Sequence, residues 1–250
     1  MFEKFRQKTK PQRKVTALVA AAGIGKRMRM DAPKQFLLLD DKPILAHTLE
    51  QFSHCDTVTE ITVVTRAEDI LLVNDLVREF EIQKVTDILP GGETRQESVF
   101  LGLEQLDDNS IVLIHDGARP FITSEQIEAL IIAVEKKGAA ALGTPVKDTL
   151  KQTDANLSIT ATIPRENLYR MQTPQAFFTH EIKQAHSRAR ESGLTVTDDC
   201  ALMEQYGRTV TIIESSDINI KITTPEDLWL AEAIYNRISE EEYRENRSWL

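Results

Sequence analysis

"ALVAAAGIGKRMRMDAPKQF", residues 17–36, decides how the rest of the chain is read. An apolar run from Val15 to Ala22 breaks into Gly23-Ile24-Gly25, and the cations Lys26, Arg27, Arg29 and Lys34 follow at once. An apolar strand that ends in a glycine turn is how parallel α/β sheets begin a nucleotide site. The two commonest versions both fail here. A dinucleotide fingerprint needs a third glycine at position 28, where Met28 stands, which argues against a nicotinamide-dependent dehydrogenase. A phosphate-binding P-loop needs Ser or Thr after the lysine, where Arg27 stands. What is left is a backbone turn open to a phosphate or a base, with Arg27 and Lys34 able to hold phosphate oxygens. The plain alternative is a tight turn carrying surface cations.

Outward from this stretch, short β-rich runs alternate with helical patterns. Residues 15–22, 60–65, 85–89 and 110–116 read as strands, with helices expected near 43–53, 68–80 and 94–106. That alternation predicts a mostly parallel sheet covered on both faces. Residues 123–138 form a well-marked helix, with Thr123 and Gln126 spaced as a capping box and Gly138 as its stop. A buried strand is expected at 139–146. Polar alternation over 149–164 around Asp154-Ala155-Asn156 then predicts a hairpin that stands off the sheet and must pack on something, such as a second subunit. Helices at 179–192 and 199–206, strands at 208–214 and 218–222, and a helix opened by Thr224-Pro225 complete the reading. The expected organisation is a basic, flexible leader (1–14), one domain (15–238) with its arm at about 147–166, and a charged, fraying tail (239–250).

Composition narrows the partners. In 250 residues, 30 Lys and Arg face 39 Asp and Glu, for a net charge of −9. Such an acidic body is not expected to coat nucleic acid, so a phosphate site must be a local basic pocket. No stretch approaches the roughly 18 apolar residues of a membrane span, and the leader lacks the apolar run of a signal peptide. Two cysteines, Cys55 and Cys200, provide no disulfide framework and read as reduced thiols in or near a core. The chain is expected to be cytoplasmic, off the membrane.

The polar clusters fall at strand ends, where α/β sheets bind ligands. "GGETRQES" (91–98) pairs two glycines with Ser98, either to approach a base or simply to start a helix. "HDGARPF" (115–121) puts Asp116 just past a strand, where it could meet Mg²⁺ or a sugar hydroxyl, with Arg119 free for an anion or paired to Asp116. Lys221 is a cation in a late β-run. His47, His54, His180 and His186 lack metal spacing and read as surface or helix residues, and His115 as orienting its loop. Several cations, one placed carboxylate and no nucleophile–base pair suit nucleotidyl transfer. In that reaction a substrate phosphate is already an anionic nucleophile and the protein aligns it and stabilises charge.

Seven motifs in order, "AAAGIGKRM…PKQF", "GGETRQESVFLGL", "HDGARPFI", "PVKDT", "QTPQAF", "TDD" and "NIKITTPEDL", resemble the 2-C-methyl-D-erythritol 4-phosphate cytidylyltransferase family over roughly residues 15–238. The related ribitol 5-phosphate cytidylyltransferases share much of this pattern, but Ala21-Ala22, "GARP" and "PVKDT" look more like the erythritol enzymes. The resemblance implies a Rossmann-like, mostly parallel twisted sheet with helices on both faces and a protruding β-hairpin arm. It implies a homodimer that transfers CMP from CTP to 2-C-methyl-D-erythritol 4-phosphate with Mg²⁺ or another divalent cation, on the way to isoprenoid precursors. Arg27 and Lys34 match the grip on the CTP phosphates, and with Asp116 and Lys221 form the implied catalytic set. Ala21, Ala22, Gly23, Gly92, Glu93, Ser98 and Gly117 match positions around the nucleotide. Arg119, Thr149, Arg165, Thr173 and Thr197 match contacts to the polyol phosphate, Thr149 and Arg165 reaching it from the arm of a second copy. Asp116 is the one candidate metal ligand, the triphosphate otherwise holding the cation. Ile218 stands where the family often has Asp, and the acid here is Asp217; one place off on a strand, it is expected to face away. No fused second enzyme is expected. A non-catalytic nucleotide-binding regulator is the alternative of a different class, although Arg27, Lys34, Asp116 and Lys221 are all in place.

Overall fold

The computed structural model describes residues 13–23 and 34–247, apart from the side chains of Lys34 and 242–247. Residues 1–12 of the leader, Arg27 and most of the glycine–cation turn lie outside the described residues. Strand β1 (Val15–Ala20) leads to a two-stranded ribbon, β2 (Leu38–Leu39) and β3 (Lys42–Pro43), and to helix α1 (Ile44–His54). Then come β4 (Glu60–Thr65), α2 (Ile70–Glu79), β5 (Val85–Pro90), α3 (Arg95–Glu104), β6 (Ile111–Asp116), α4 (Ser124–Lys137) and β7 (Ala139–Pro145). The arm is β8 (Leu150–Thr153) with β9 (Ile159–Ile163), followed by β10 (Tyr169–Phe178), α5 (Thr179–Ser192), α6 (Asp199–Gln205), β11 (Thr211–Glu214) and α7 (Pro225–Arg247).

The main sheet runs β11-β7-β10-β6-β1-β4-β5. Every pair in it is parallel except the two made by β10, which is antiparallel to both β6 and β7. From β1 the chain steps outward to β4 and β5, then returns to the other side of β1 as β6. That reversal opens a crevice beyond the carboxyl ends of β1 and β6, where doubly wound sheets place ligands.

Alternation along the strands builds two cores. Ala17 and Val19 face α1, α2 and α4 through Leu49, Phe52, Val73 and Leu130. Leu18, Val64 and Ile114 face α3, α5 and α6 through Leu103, Ile182 and Met203. Helix α3 lies so close to the sheet that a Cβ on Gly102 would come within 2.6 Å of Leu18 Cδ1. The capping box at Thr123 and the Gly138 stop form as expected, and both cysteines are free and buried.

Three expectations need correction. Residues 169–178 form β10 near the middle of the sheet, where none was foreseen. Residues 218–222 are no strand: Ile222 donates to Ala118 O at 2.9 Å and Asn219 O accepts from Arg119, so loop groups rather than a ladder satisfy the segment. Helix α7 runs on through Arg247 instead of ending near 238. His47 and His186 lie on helices, one of the two places expected for them, and are buried there. His47 bonds Leu39 O at 2.7 Å.

Among the described strands, β8 and β9 pair only with each other. The arm's turn closes where Asp154 Oδ1 accepts from the N–H groups of Asn156 and Ser158, each at 2.9 Å. Leu150, Leu157 and Ile159 are exposed along it.

Candidate active site

A cleft of about 990 Å³ opens at the crevice. Four strand ends line it: Ala20–Gly23 after β1, Arg66–Glu68 after β4, Gly91–Thr94 after β5 and Asp116–Ala118 after β6. Gln35, Arg95, Glu97, Ser98 and Lys221 complete the wall. Of the sequence-derived site residues, Ala21, Ala22, Gly23, Gly92, Glu93, Ser98, Asp116, Gly117 and Lys221 therefore meet in one place.

Local bonds set this wall in shape. Buried Gln35 donates to Ala21 O at 2.8 Å, and Ala21 N donates to Val64 O at 2.7 Å, which ties the start of the glycine turn to the sheet. Lys34 sits directly before Gln35 at the head of a short 3₁₀ turn, Lys34–Phe36. At the next loop, Thr94 caps α3 by accepting from Glu97 N at 3.1 Å. Ser98 is buried, donates to Thr94 O at 2.8 Å and accepts from Gly92 N at 3.1 Å, so its hydroxyl shapes the loop rather than standing free. A Cβ on Gly91 would fall 2.7 Å from Ser98 Oγ and 2.8 Å from Ala22 Cβ. The two loops are therefore in contact at the cleft wall, and only glycine fits between them.

Asp116 forms the floor. It is buried, and three cations converge on it: Arg95 Nε at 3.2 Å on Oδ1, and Lys221 Nζ at 2.8 Å and Arg119 Nε at 3.4 Å on Oδ2. Burial works against the charged carboxylate, but Arg95, then Lys221 and Arg119, outweigh it and hold the acid well below the usual carboxylate range. The internal pair weighed for Asp116 and Arg119 thus forms, within a larger cluster. Arg119 also donates to Asn219 O at 2.9 Å, and buried Asn219 donates to Thr173 O at 3.0 Å. These bonds fasten the segment carrying Lys221 beside the floor.

His115 and Thr173 support Asp116 from behind. The Arg119 carbonyl can only accept, so His115 Nε2 carries the proton at 3.1 Å and Nδ1 accepts from the Thr173 hydroxyl at 3.0 Å. Thr173 Oγ1 in turn accepts from Asp116 N at 3.1 Å. Burial lowers the His115 pKa to about 4, which keeps the ring neutral and orienting, as expected. Thr173 is buried in this chain of bonds and not on the cleft wall.

Sequence reasoning assigned no role to Arg95, which bridges Asp116, 21 positions away, and Asp199, 104 positions away. Thr149, Arg165 and Thr197 are exposed and outside this chain's cleft. Arg165 donates to Lys147 O at the arm's base. Asp217 pairs there with Lys147 and Arg170 instead of facing the cleft.

The described residues do not form a cage for a metal. Both oxygens of Asp116 are taken by cations, and no group of three or more His, Cys, Asp or Glu among the described residues could hold an ion. Nothing in the described cleft pairs a nucleophile with a base.

The family model for 2-C-methyl-D-erythritol 4-phosphate cytidylyltransferase matches residues 15–237. A protein of that name from Halalkalibacterium halodurans is 46% identical over 219 residues, covering 88% of this chain and 96% of its own. Another from Geotalea uraniireducens is 43% identical over 232 residues, 91% of this chain and 99% of its own. Among solved structures, 4-diphosphocytidyl-2C-methyl-D-erythritol synthase from Anaerococcus prevotii superposes with a TM-score of 0.79 at 33% identity, over 90% of this chain and 96% of that one. The Thermus thermophilus cytidylyltransferase gives 0.71 at 32% identity, over 88% and 98%.

Proposed function

We propose, on the footing that the chain belongs to the 2-C-methyl-D-erythritol 4-phosphate cytidylyltransferase family, that it transfers CMP from CTP to 2-C-methyl-D-erythritol 4-phosphate and releases pyrophosphate. The product feeds isoprenoid precursor synthesis. The observation that carries the reading is Asp116 with Arg95, Arg119 and Lys221 gathered on it at the topological switch point.

An oxygen of the erythritol phosphate bonds to the α-phosphorus of CTP. The bond from that phosphorus to the bridging oxygen of the β-phosphate breaks, and its electrons leave with pyrophosphate. No proton has to move for the attack, since the nucleophile is already anionic. The backbone at Ala21–Gly23, Gly92 and Gly117 lies against the cytidine, with Glu93 and Ser98 shaping that wall. Arg27 and Lys34 grip the triphosphate and stabilise the five-coordinate phosphorus. Lys221, braced by Asp116, adds its charge where the phosphates meet, and Arg119 keeps the loop in place for the second substrate.

In a homodimer, Thr149 and Arg165 on the exposed arm reach the cleft of the other copy and bind the erythritol phosphate with Thr197, while Thr173 supports the floor. The exposed Leu150, Leu157 and Ile159 supply the apolar contact such an arm needs. Mg²⁺ or another divalent cation, when bound, offsets phosphate charge. Its ligands would be the triphosphate oxygens, since both oxygens of Asp116 are engaged by Arg95, Arg119 and Lys221. We read the enzyme as cytoplasmic. Its two free thiols are buried, and no helix among the described residues is long and apolar enough to cross a membrane. We read residues 15–238 as a single nucleotidyltransferase domain with a dimerisation arm at about 147–166.

Pyrophosphate release from CTP, measured with each polyol phosphate in turn, tests the assignment. The erythritol phosphate should turn over faster. Faster turnover of ribitol 5-phosphate overturns the substrate, and silence with both leaves a nucleotide-binding regulator.

A further inference from the structure

Arg95 opens α3 and divides its guanidinium between two buried acids. Its Nε meets Asp116 Oδ1 at 3.2 Å and its Nη1 meets Asp199 Oδ2 at 2.8 Å. Asp199 is 1% exposed and absent from the cleft wall, so it touches no substrate there. Three elements hold it. As the first residue of α6 it donates its N–H to Gln175 Oε1 on β10 at 3.0 Å. Its Oδ1 accepts from His186 Nε2, on α5, at 3.1 Å. Burial opposes the charge on Asp199, and Arg95 together with His186 keeps it ionised, with a pKa down to about 2.

An arginine offered one carboxylate prefers to take both oxygens with parallel N–H bonds. Here Arg95 does not. Its Nη1 is drawn to Asp199, and Asp116 receives only the Nε, on Oδ1. The other oxygen, Oδ2, is thereby left to Lys221 at 2.8 Å and Arg119 at 3.4 Å. Without the Asp199 charge, Arg95 is free to fork onto both oxygens of Asp116 and compete with Lys221 for Oδ2.

We propose that Asp199 is a positioning residue for the reaction: by holding one arm of Arg95, it reserves an oxygen of Asp116 for Lys221. The proposal rests on the reading of Asp116 and Lys221 as part of the reacting site. Nothing of Asp199 reaches the substrates; it acts through Arg95.

The test is a kinetic cycle on the full-length protein, with CTP and 2-C-methyl-D-erythritol 4-phosphate and pyrophosphate release as the readout. Asp199→Asn keeps the shape and removes the charge. A displaced cation should lower kcat by about 30-fold or more and leave the KM for CTP within about threefold, since misplacement near 1 Å can cost about 100-fold. In an Arg95→Lys background the same change should cost little, because lysine has no fork to misplace. A kcat within about twofold of wild type, or an equal loss in both backgrounds, overturns the proposal. Asp199→Ser, which is smaller, repeats the test should the asparagine variant not fold. Loss of the fold in both makes Asp199 structural and also overturns it. The wild-type rate measured alongside is the separate check on the activity; should it be absent, that reading fails and this proposal falls with it.

Discussion

Replacing Asp116 with Asn should reveal how much of this protein's stability rests on one carboxylate. Asp116 is 6% exposed and accepts from Arg95 at 3.2 Å, Arg119 at 3.4 Å and Lys221 at 2.8 Å. The amide keeps the volume but leaves three cations close together without the charge that gathered them. Arg95 retains Asp199 and Arg119 retains Asn219 O, so the cost should sit at the low end for a broken buried ion pair, about 3 kcal/mol. For a chain of this size that is a fall in Tm of about 6–12 °C. Urea denaturation followed by circular dichroism, in buffer containing EDTA, measures it. Adding Lys221→Met to the variant should return about 1–3 kcal/mol by removing a repelling charge. The folded-state pKa of Asp116 lies below its unfolded value. Its stabilisation is therefore fully present above about pH 4 and lost as pH falls further, so the deficit of the variant should narrow in acid. A deficit under about 1 kcal/mol at pH 7 would refute the electrostatic role. One seen only with Mg²⁺ present would make the carboxylate a metal ligand instead.

Three other outcomes are expected. Lys34→Ala and Arg27→Ala should each cut turnover by about 100-fold or more with an unchanged far-ultraviolet spectrum, because their charge acts on the transition state; near-normal rates would remove them from the mechanism. Arg165→Ala should raise the KM for the erythritol phosphate more than that for CTP, and an equal rise in both would count against an arm acting on the second copy's cleft. Acid should begin to weaken the fold well above the carboxylate range. The pKa of buried His115 is lowered to about 4, so its share of stability is present above the unfolded value near 6.5 and lost as pH falls from there to 4. That share is about 3 kcal/mol, and His115→Asn should flatten this limb of the urea-stability profile.

What the sequence revealed was local. The run ending at Gly23, the capping box at Thr123 and the turn around Asp154 each declare themselves within a few residues, and the parallel order follows from strands alternating with helices. The loops at strand ends were legible for the same reason, as breaks in apolar runs filled with polar groups. Arg95 and Asp199 were both in view, inside "GGETRQES" and "TDD", yet their pairing spans 104 positions, and no local pattern encodes which distant side chain a buried charge will meet. His186 did leave a signal. It lies with Ile182, Ala185 and Ala189 on the buried stripe of α5, and that spacing placed it inside even though its polarity argued for the surface.

The strand that went unseen shows most clearly why reading fails where chemistry is concentrated. "YRMQTPQAFF" has three polar residues and a proline across the middle of a central strand, and proline, lacking an N–H, is normally kept to edges and irregularities. The register of β10 against β7 does shift between Met171 and Gln175, around Pro174. Each polar residue in that interval is then spent on the site. Gln172 donates to Ser216 O at 3.0 Å and accepts from Asn219 Nδ2 at 3.3 Å, which steadies the segment leading to Lys221. Thr173 links Asp116 N to His115. Gln175 accepts from the N–H groups of Asp199 and Cys200, both at 3.0 Å, and sets the acid that holds Arg95. A strand built only for the sheet would carry β-branched or aromatic residues at these places. This one runs antiparallel between β6 and β7 and delivers three side chains to the underside of the floor, so the residues that disqualify it as a strand are the ones that align the cations above.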